Sequence, residues 1–269
     1  MIGVPSIEGA SPPRVDVLGI RVSATTIEES LRVIEGWIAQ REPHYVCVSG
    51  MHGVMESQQD LQLRRIHNEA GLVTPDGMPL VWLCRLKGQR GVERVYGPDL
   101  MLALCARSQA SAYRHFFYGA SPQVLDALTA RLQSRYPGLI IAGTYAPPFR
   151  QVDPVEDDLI VERIKQASPD IVWVGLSTPK QERWMAEHVA RIGAPALIGV
   201  GAAFDFHSGF KRQAPRWMQR NGLEWLFRLL SEPRRLGPRY LINIPLFACY
   251  LALDALGLRR PAQGMRTHH

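Results

Sequence analysis

"DIVWVGLSTPKQERWMAEHVARIGAPALIGVG", residues 170–201, decides the fold. A run rich in Val and Ile (DIVWVGL) gives way to a helical stretch (QERWMAEHVARI), and a second apolar run (PALIGVG) follows. Short apolar runs on either side of a helix predict two parallel strands joined by a crossover. The pattern extends upstream. "YRHFFYGA" and "GLIIAGTY" read as strands around the helix "PQVLDALTARLQSRY", and the helix "VEDDLIVERIKQA" leads into the quoted stretch. Its acids Glu156–Asp158 suit the positive end of a helix dipole, with no metal implied. Further upstream, "HYVCVS" and "GLVTPD" read as strands separated by one polar helical segment, "GVMESQQDLQLRRIHNEA". "VDVLGIRVS" reads as a strand or hairpin edge, and Thr26 with Glu29 forms a capping box for the next helix. The expected class is α/β, a mostly parallel sheet wrapped by helices.

A chain of 269 residues, 46% hydrophobic and 21% charged, builds one large core or one core with a small appendage. Cys47, Cys84, Cys105 and Cys249 show no CxxC spacing, which suits reduced, buried thiols better than a disulfide frame or a zinc site. The first residues lack the pattern of a signal peptide, so a cytoplasmic protein is expected.

Ligands of such sheets bind beyond the carboxyl ends of the strands. Five strand exits here are polar or glycine-rich: "VSGMHG" (Ser49, His52), "VTPDG" (Asp76), "FYGAS" (Gly119, Ser121), "VGLSTPKQE" (Gly175, Ser177, Lys180, Gln181) and "GVGAAFD" (Gly199, Gly201, Asp205). Small residues there let backbone N–H groups and helix N-termini approach a phosphate. Neither GxGxxG nor GxxxxGK[ST] occurs, which counts against a dehydrogenase and a P-loop enzyme and leaves a nucleotide-type ligand held otherwise. Asp76 has two readings at this point. It caps the helix "MPLVWLCRLKG", or it is a general base aimed into a cleft. His52 is the competing base.

The net charge of +6 is concentrated near the C-terminus. Lys211, Arg212, Arg216, Arg220, Arg228, Arg234, Arg235 and Arg239 face only Glu224 and Glu232, with Trp217, Trp225, Phe227 and Tyr240 interleaved. "YLINIPLFACYLALDALGL" then runs almost without charge, interrupted by Asn243, Pro245 and Asp254. Basic residues, aromatics and an adjacent apolar run fit a segment lying on an anionic leaflet, and fit nucleic acid less well. The apolar run has two further readings, a core helix or a dimer contact, the latter allowing a homo-oligomer.

Three blocks now stand together: "TPDGMPLVW…ERVYGPDLM", "VGLSTPKQERW" and "GVGAAFDFHSGFKRQAPRWMQRNGLEWLFRLLSEPRRLGPRYL". Over roughly residues 15 to 245 the chain closely resembles the WecG/TagA/CpsF family of bacterial glycosyltransferases. The resemblance implies a Rossmann-like core at 15–209, after a flexible 1–14, and a membrane-binding appendage at 210–269. It implies inverting, metal-independent transfer of a sugar from a UDP-sugar to an undecaprenyl-diphosphate-linked sugar, without a cofactor, at the inner face of the plasma membrane. This is a step of surface polysaccharide assembly. N-acetylmannosamine, its uronic acid and glucose remain open as the donated sugar. The resemblance makes Asp76 the general base. Arg94 falls near the donor diphosphate, its bland reading being a surface salt bridge with Glu93. Gln181 falls in the nucleotide site, and Ser49 stands where the family tends to have Thr. The family's Thr-x-Asn is replaced here by "SGMHG", with His52 nearby, at a strand end expected to line the sugar pocket. Arg212, Arg216, Arg234 and Arg235 are expected to grip lipid headgroups or the lipid-linked diphosphate. A scaffold on an inactive transferase fold is the rival function. Deleting the tail from about Leu236 is expected to spare the core.

Overall fold

A computed structural model describes residues 11–258. Its central sheet has six strands, β3 (His44–Ser49), β4 (Leu72–Pro75), β5 (Arg114–Gly119), β6 (Ile140–Tyr145), β7 (Ile171–Gly175) and β8 (Ala196–Gly199). They lie in the order β4-β3-β8-β7-β5-β6, and every pair is parallel. A two-stranded antiparallel hairpin, β1 (Arg14–Val17) and β2 (Ile20–Ser23), stands beside β4, where the Ser23 hydroxyl accepts from the Val73 N–H at 3.1 Å. The strand opening at Arg14 places that residue in the fold, one position before the core boundary read from the sequence. Residues 1–10 of the expected flexible segment lie outside the described residues.

Alternation along the strands explains the two hydrophobic layers. Val172 and Val174 enter one layer with Tyr118, Trp184 and Met185, while Ile171 and Trp173 enter the other with Phe117 and Phe204. Helices α1 (Ile27–Gln40), α5 (Gly97–Ser111) and α6 (Pro122–Arg135) cover the second layer; α7 (Pro154–Gln166) and α8 (Lys180–Ile192) cover the first. The Thr26–Glu29 capping box on α1 forms as expected. Trp173 is accepted in the core because its indole N–H donates to His115 Nδ1 at 2.9 Å.

One expected helix is two. The segment after β3 breaks into α2 (Met51–Gln59) and α3 (Leu61–Glu69) at Asp60, whose carboxylate accepts from the Leu63 N–H at 2.9 Å and caps α3. After β4 comes α4 (Met78–Leu86), and after β8 the short α9 (Ala203–Ser208).

The tail forms α10 (Arg216–Arg220), α11 (Glu224–Ser231) and α12 (Pro233–Ala255). It is not a detached appendage. Along α12, Leu236, Tyr240, Ile244, Phe247 and Leu251 recur at helical spacing, and Leu236 and Phe247 are buried. Phe247 joins the same layer as Val172, with Leu246, Tyr250 and Leu251 packed against it. Leu241 and Ile242 point outward and are exposed. Among the described residues, Leu236–Ala255 is the one helix long and apolar enough to cross a membrane by length and composition. Removing it would expose the part of the core that Leu236 and Phe247 cover.

Candidate functional site

A cleft opens beyond the carboxyl ends of the parallel strands. Two cavities fill it, of about 450 Å³ and about 690 Å³. They share Ser177, Gly201, Ala202, Phe206 and Arg228, so they are two ends of one cleft.

The first end holds two carboxylates, Asp76 and Glu224, and two guanidiniums, Arg94 and Arg228, among apolar walls. Asp76 follows β4 and faces Met51, Met78, Trp82 and, from the tail, Leu236, Tyr240 and Ile244. It does not cap α4, whose N-cap is Gly77 without a side-chain bond. One edge of the side chain is open, 31% in all, yet Oδ1 is buried and has no hydrogen-bond partner. Burial pushes the Asp76 pKa up to about 6, against the pull of Arg94 and with a push from Glu224. His52, at the start of α2, lines the same cavity and is paired with Glu56 at 3.5 Å.

Arg94 is not a surface residue paired with Glu93. Its Nε donates to the Asp76 main-chain carbonyl, and its Nη2 meets Glu224 Oε2 at 2.5 Å, with both side chains mostly buried. The guanidinium lies 4.0 Å from the centre of the Tyr96 ring, whose hydroxyl donates to Glu224 Oε1 at 3.0 Å. Burial opposes the Arg94 charge, but Asp76 and Glu224 outweigh it and raise its pKa. Glu224 belongs to α11, so the tail completes this end of the cleft.

The second end is cationic and lined by small residues. Gly175, Ser177, Gly201 and Ser121, the N-cap of α6, meet Lys211, Arg212 and Arg228 there. Asp205 and Glu232 line it too, 3.2 Å and 3.4 Å from the Lys211 ammonium. A Cβ on Gly175 would stand 2.7 Å from the Phe204 ring, so the backbone approach needs glycine. Phe149 stands at the rim, 97% exposed.

Several expected site residues are elsewhere. Ser49 is turned under the cleft, buried, with its hydroxyl 3.3 Å from His67 Nε2, because Gly53 packs over it. Gly119 lines neither cavity. Its φ of +126° and its contact with β7, where a Cβ would fall 2.6 Å from the Gly175 carbonyl oxygen, make it a packing residue. Lys180 is exposed outside both cavities. Arg216 reaches away to Asp99 at 2.8 Å, and Arg234 is exposed and lines neither cavity. The side chain of Arg235 lies outside the described residues. Gln181 is in place but serves as a brace: buried in the cleft floor, its Oε1 accepts from the Gly201 N–H at 3.0 Å. Sequence reasoning missed Glu224 and Arg228 as site residues. Their one signal was position, in a basic and aromatic run where a carboxylate is unusual. Among the described residues no group of three or more His, Cys, Asp or Glu side chains is placed to hold a metal ion.

The cleft therefore combines a lone buried carboxylate oxygen with a neighbouring cationic cradle. A family model described as "Glycosyl transferase WecG/TagA/CpsF family" matches residues 15–261. An N-acetylglucosaminyldiphosphoundecaprenol N-acetyl-beta-D-mannosaminyltransferase of Staphylococcus aureus (strain MW2) is 27% identical over 247 residues, 91% of this chain and 94% of that protein. The protein of the same name from Bacillus subtilis (strain 168) is 32% identical over 181 residues, 67% of this chain and 68% of that protein.

Proposed function

The chain belongs to the WecG/TagA/CpsF glycosyl transferase family, and from that premise we propose that it moves N-acetylmannosamine from its UDP-sugar to N-acetylglucosaminyl-diphosphoundecaprenol, with inversion. The relatives' names supply the sugars. The observation that carries the reading is the buried Asp76 Oδ1 at the strand exit, which has no hydrogen-bond partner.

An acceptor hydroxyl seated in the first cavity donates its hydrogen bond to Asp76. A carboxylate with a pKa near 6 is mostly ionised at neutral pH and is a better base than an ordinary one. As the acceptor oxygen attacks the anomeric carbon, the bond to the UDP oxygen breaks and the proton passes to Asp76. The leaving diphosphate gains charge beside Arg228, Arg212 and Lys211, which fit the role that charge-assisted bonds play in such a transition state. The exposed ring of Phe149 offers a flat apolar face to the uracil base. No step uses a metal or a cofactor.

The lipid part of the acceptor has an apolar wall to follow, through Trp82, Tyr240 and Ile244, toward the outer stripe of α12. That stripe and the basic residues around it support a place on the inner face of the plasma membrane, held by apolar insertion and anionic headgroups.

The test is a donor screen with the lipid-linked acceptor, read by UDP release. UDP-N-acetylmannosamine is expected to be used far faster than its uronic acid or UDP-glucose. Preference for either of the others would reassign the sugar, and no UDP release with any of them would favour an inactive scaffold.

A further inference from the structure

Arg94 stands between two carboxylates and treats them unequally. Glu224 Oε2 is 2.5 Å from Nη2, whereas Asp76 Oδ1 is 3.9 Å from the same nitrogen, too far for a hydrogen bond. The guanidinium cannot drift far, because its Nε is tied to the Asp76 main-chain carbonyl and its face rests on Tyr96. Glu224 is fixed in turn, since its other oxygen accepts from the Tyr96 hydroxyl. Glu224 sits in the first turn of α11 and reaches the cleft only because the tail packs on the core.

We infer that Glu224 is a positioning residue, which holds the Arg94 guanidinium off the Asp76 side chain. Without Glu224, the nearest carboxylate to Nη2 is Asp76 Oδ1, and a small side-chain rotation closes the gap. A fully ion-paired Asp76 is a weak base, and its proton affinity would fall. The inference rests on the proposed transferase reading for its biological meaning, and on geometry alone for its effect on Asp76.

The charged and titratable groups around Asp76 are few. Arg94 and Tyr96 come from the segment before α5, Glu224 and Arg228 from α11, Tyr240 from α12, and His52 with its partner Glu56 from α2. Removing the charge of Glu224 both frees Arg94 and withdraws a like charge, and both effects lower the Asp76 midpoint.

Glu224→Gln in the full chain tests this, since the amide keeps the shape and can still accept from Tyr96. The midpoint of Asp76 is followed by infrared titration of the carboxyl band that disappears in Asp76→Asn. It is expected to drop by about one pH unit in Glu224→Gln. The acid limb of kcat is expected to move down with it, and the plateau to fall about tenfold as basicity is lost. A folded Glu224→Gln whose midpoint and acid limb both stay in place overturns the inference and leaves Glu224 as a simple dock. Should Glu224→Gln not fold, Tyr96→Phe loosens Glu224 while keeping its charge; a lower midpoint supports the inference and an unchanged one overturns it. Absence of turnover in the parent protein would sink the transferase reading, while the infrared titration would still decide the role of Glu224.

Discussion

The two ends of the cleft solve different problems with the same loops. At one end Asp76, Arg94 and Glu224 are largely withdrawn from water among apolar walls. At the other, Lys211, Arg212 and Arg228 stand over glycines and small residues with more room around them. The first arrangement raises the proton affinity of a carboxylate. The second gathers positive charge where backbone can approach closely. An enzyme that must take a proton and release a diphosphate needs both, and here Arg228 borders the two.

The largest expected effect separates the ends. Asp76→Asn should lower transfer by on the order of a hundredfold or more, the usual worth of a positioned base. UDP binding, measured by calorimetry, should stay within twofold. Loss of UDP affinity in this variant would collapse the distinction between the two ends.

Arg94→Ala should damage the Asp76 end and the tail together. It leaves Glu224 and Asp76 as partly buried carboxylates without their shared cation, at a cost on the order of 2 kcal/mol. Transfer and melting temperature should therefore both fall, the latter by about 5 °C. An unchanged melting temperature would mean that the Arg94–Glu224 pair does not hold the tail.

Arg228→Ala should weaken UDP binding about tenfold, the scale of one charge-assisted bond. It should also move the acid limb of the kcat profile up slightly, because Arg228 helps to hold the Asp76 pKa down. A shift of that limb with no loss of UDP affinity would assign Arg228 to the Asp76 end alone.

A smaller effect concerns stability. The Asp76 pKa rises on folding from 3.8 to about 6, so the folded state holds the proton more tightly. Ionised Asp76 therefore destabilises the fold, not at all below pH 3.8, increasingly from there to pH 6, and fully above. Asp76→Asn should gain on the order of 1 kcal/mol at pH 8 and nothing near pH 3.5. Thermal melts at the two pH values check the sign. The smallest expected effect is that of EDTA, which should leave turnover unchanged because side-chain cations are assigned to the diphosphate. A strict need for a divalent ion would break that assignment.

Much of this was legible in the chain because the signals are local. Val- and Ile-rich runs followed by amphipathic helices announce a parallel sheet, and the sheet announces where its cleft will be. Asp76 at a strand exit, Gln181 and the glycines at 175 and 201 follow from that rule. The failures are of a different kind. Nothing local says that Ser49 turns down toward His67, or that Gly119 is spent on packing against Gly175. Asp60 broke a helix because its carboxylate captures a backbone N–H, a competition that periodicity does not register. Glu224 is 130 residues from Arg94 in sequence, and only the tertiary packing of α11 brings them together. The tail's composition pointed to lipid, while its spacing at 236, 240, 244 and 247 also encoded a stripe for the core.

The pH dependence of kcat, measured for the parent protein and for Asp76→Asn with the lipid-linked acceptor, tests the central claim most directly. In the parent, kcat should rise with pH through an acid limb near pH 6, the midpoint that burial gives Asp76. In Asp76→Asn the residual rate should show no such limb. An acid limb of the same midpoint surviving in the variant would take the base away from Asp76 and give it to another group in the cleft, His52 first among them.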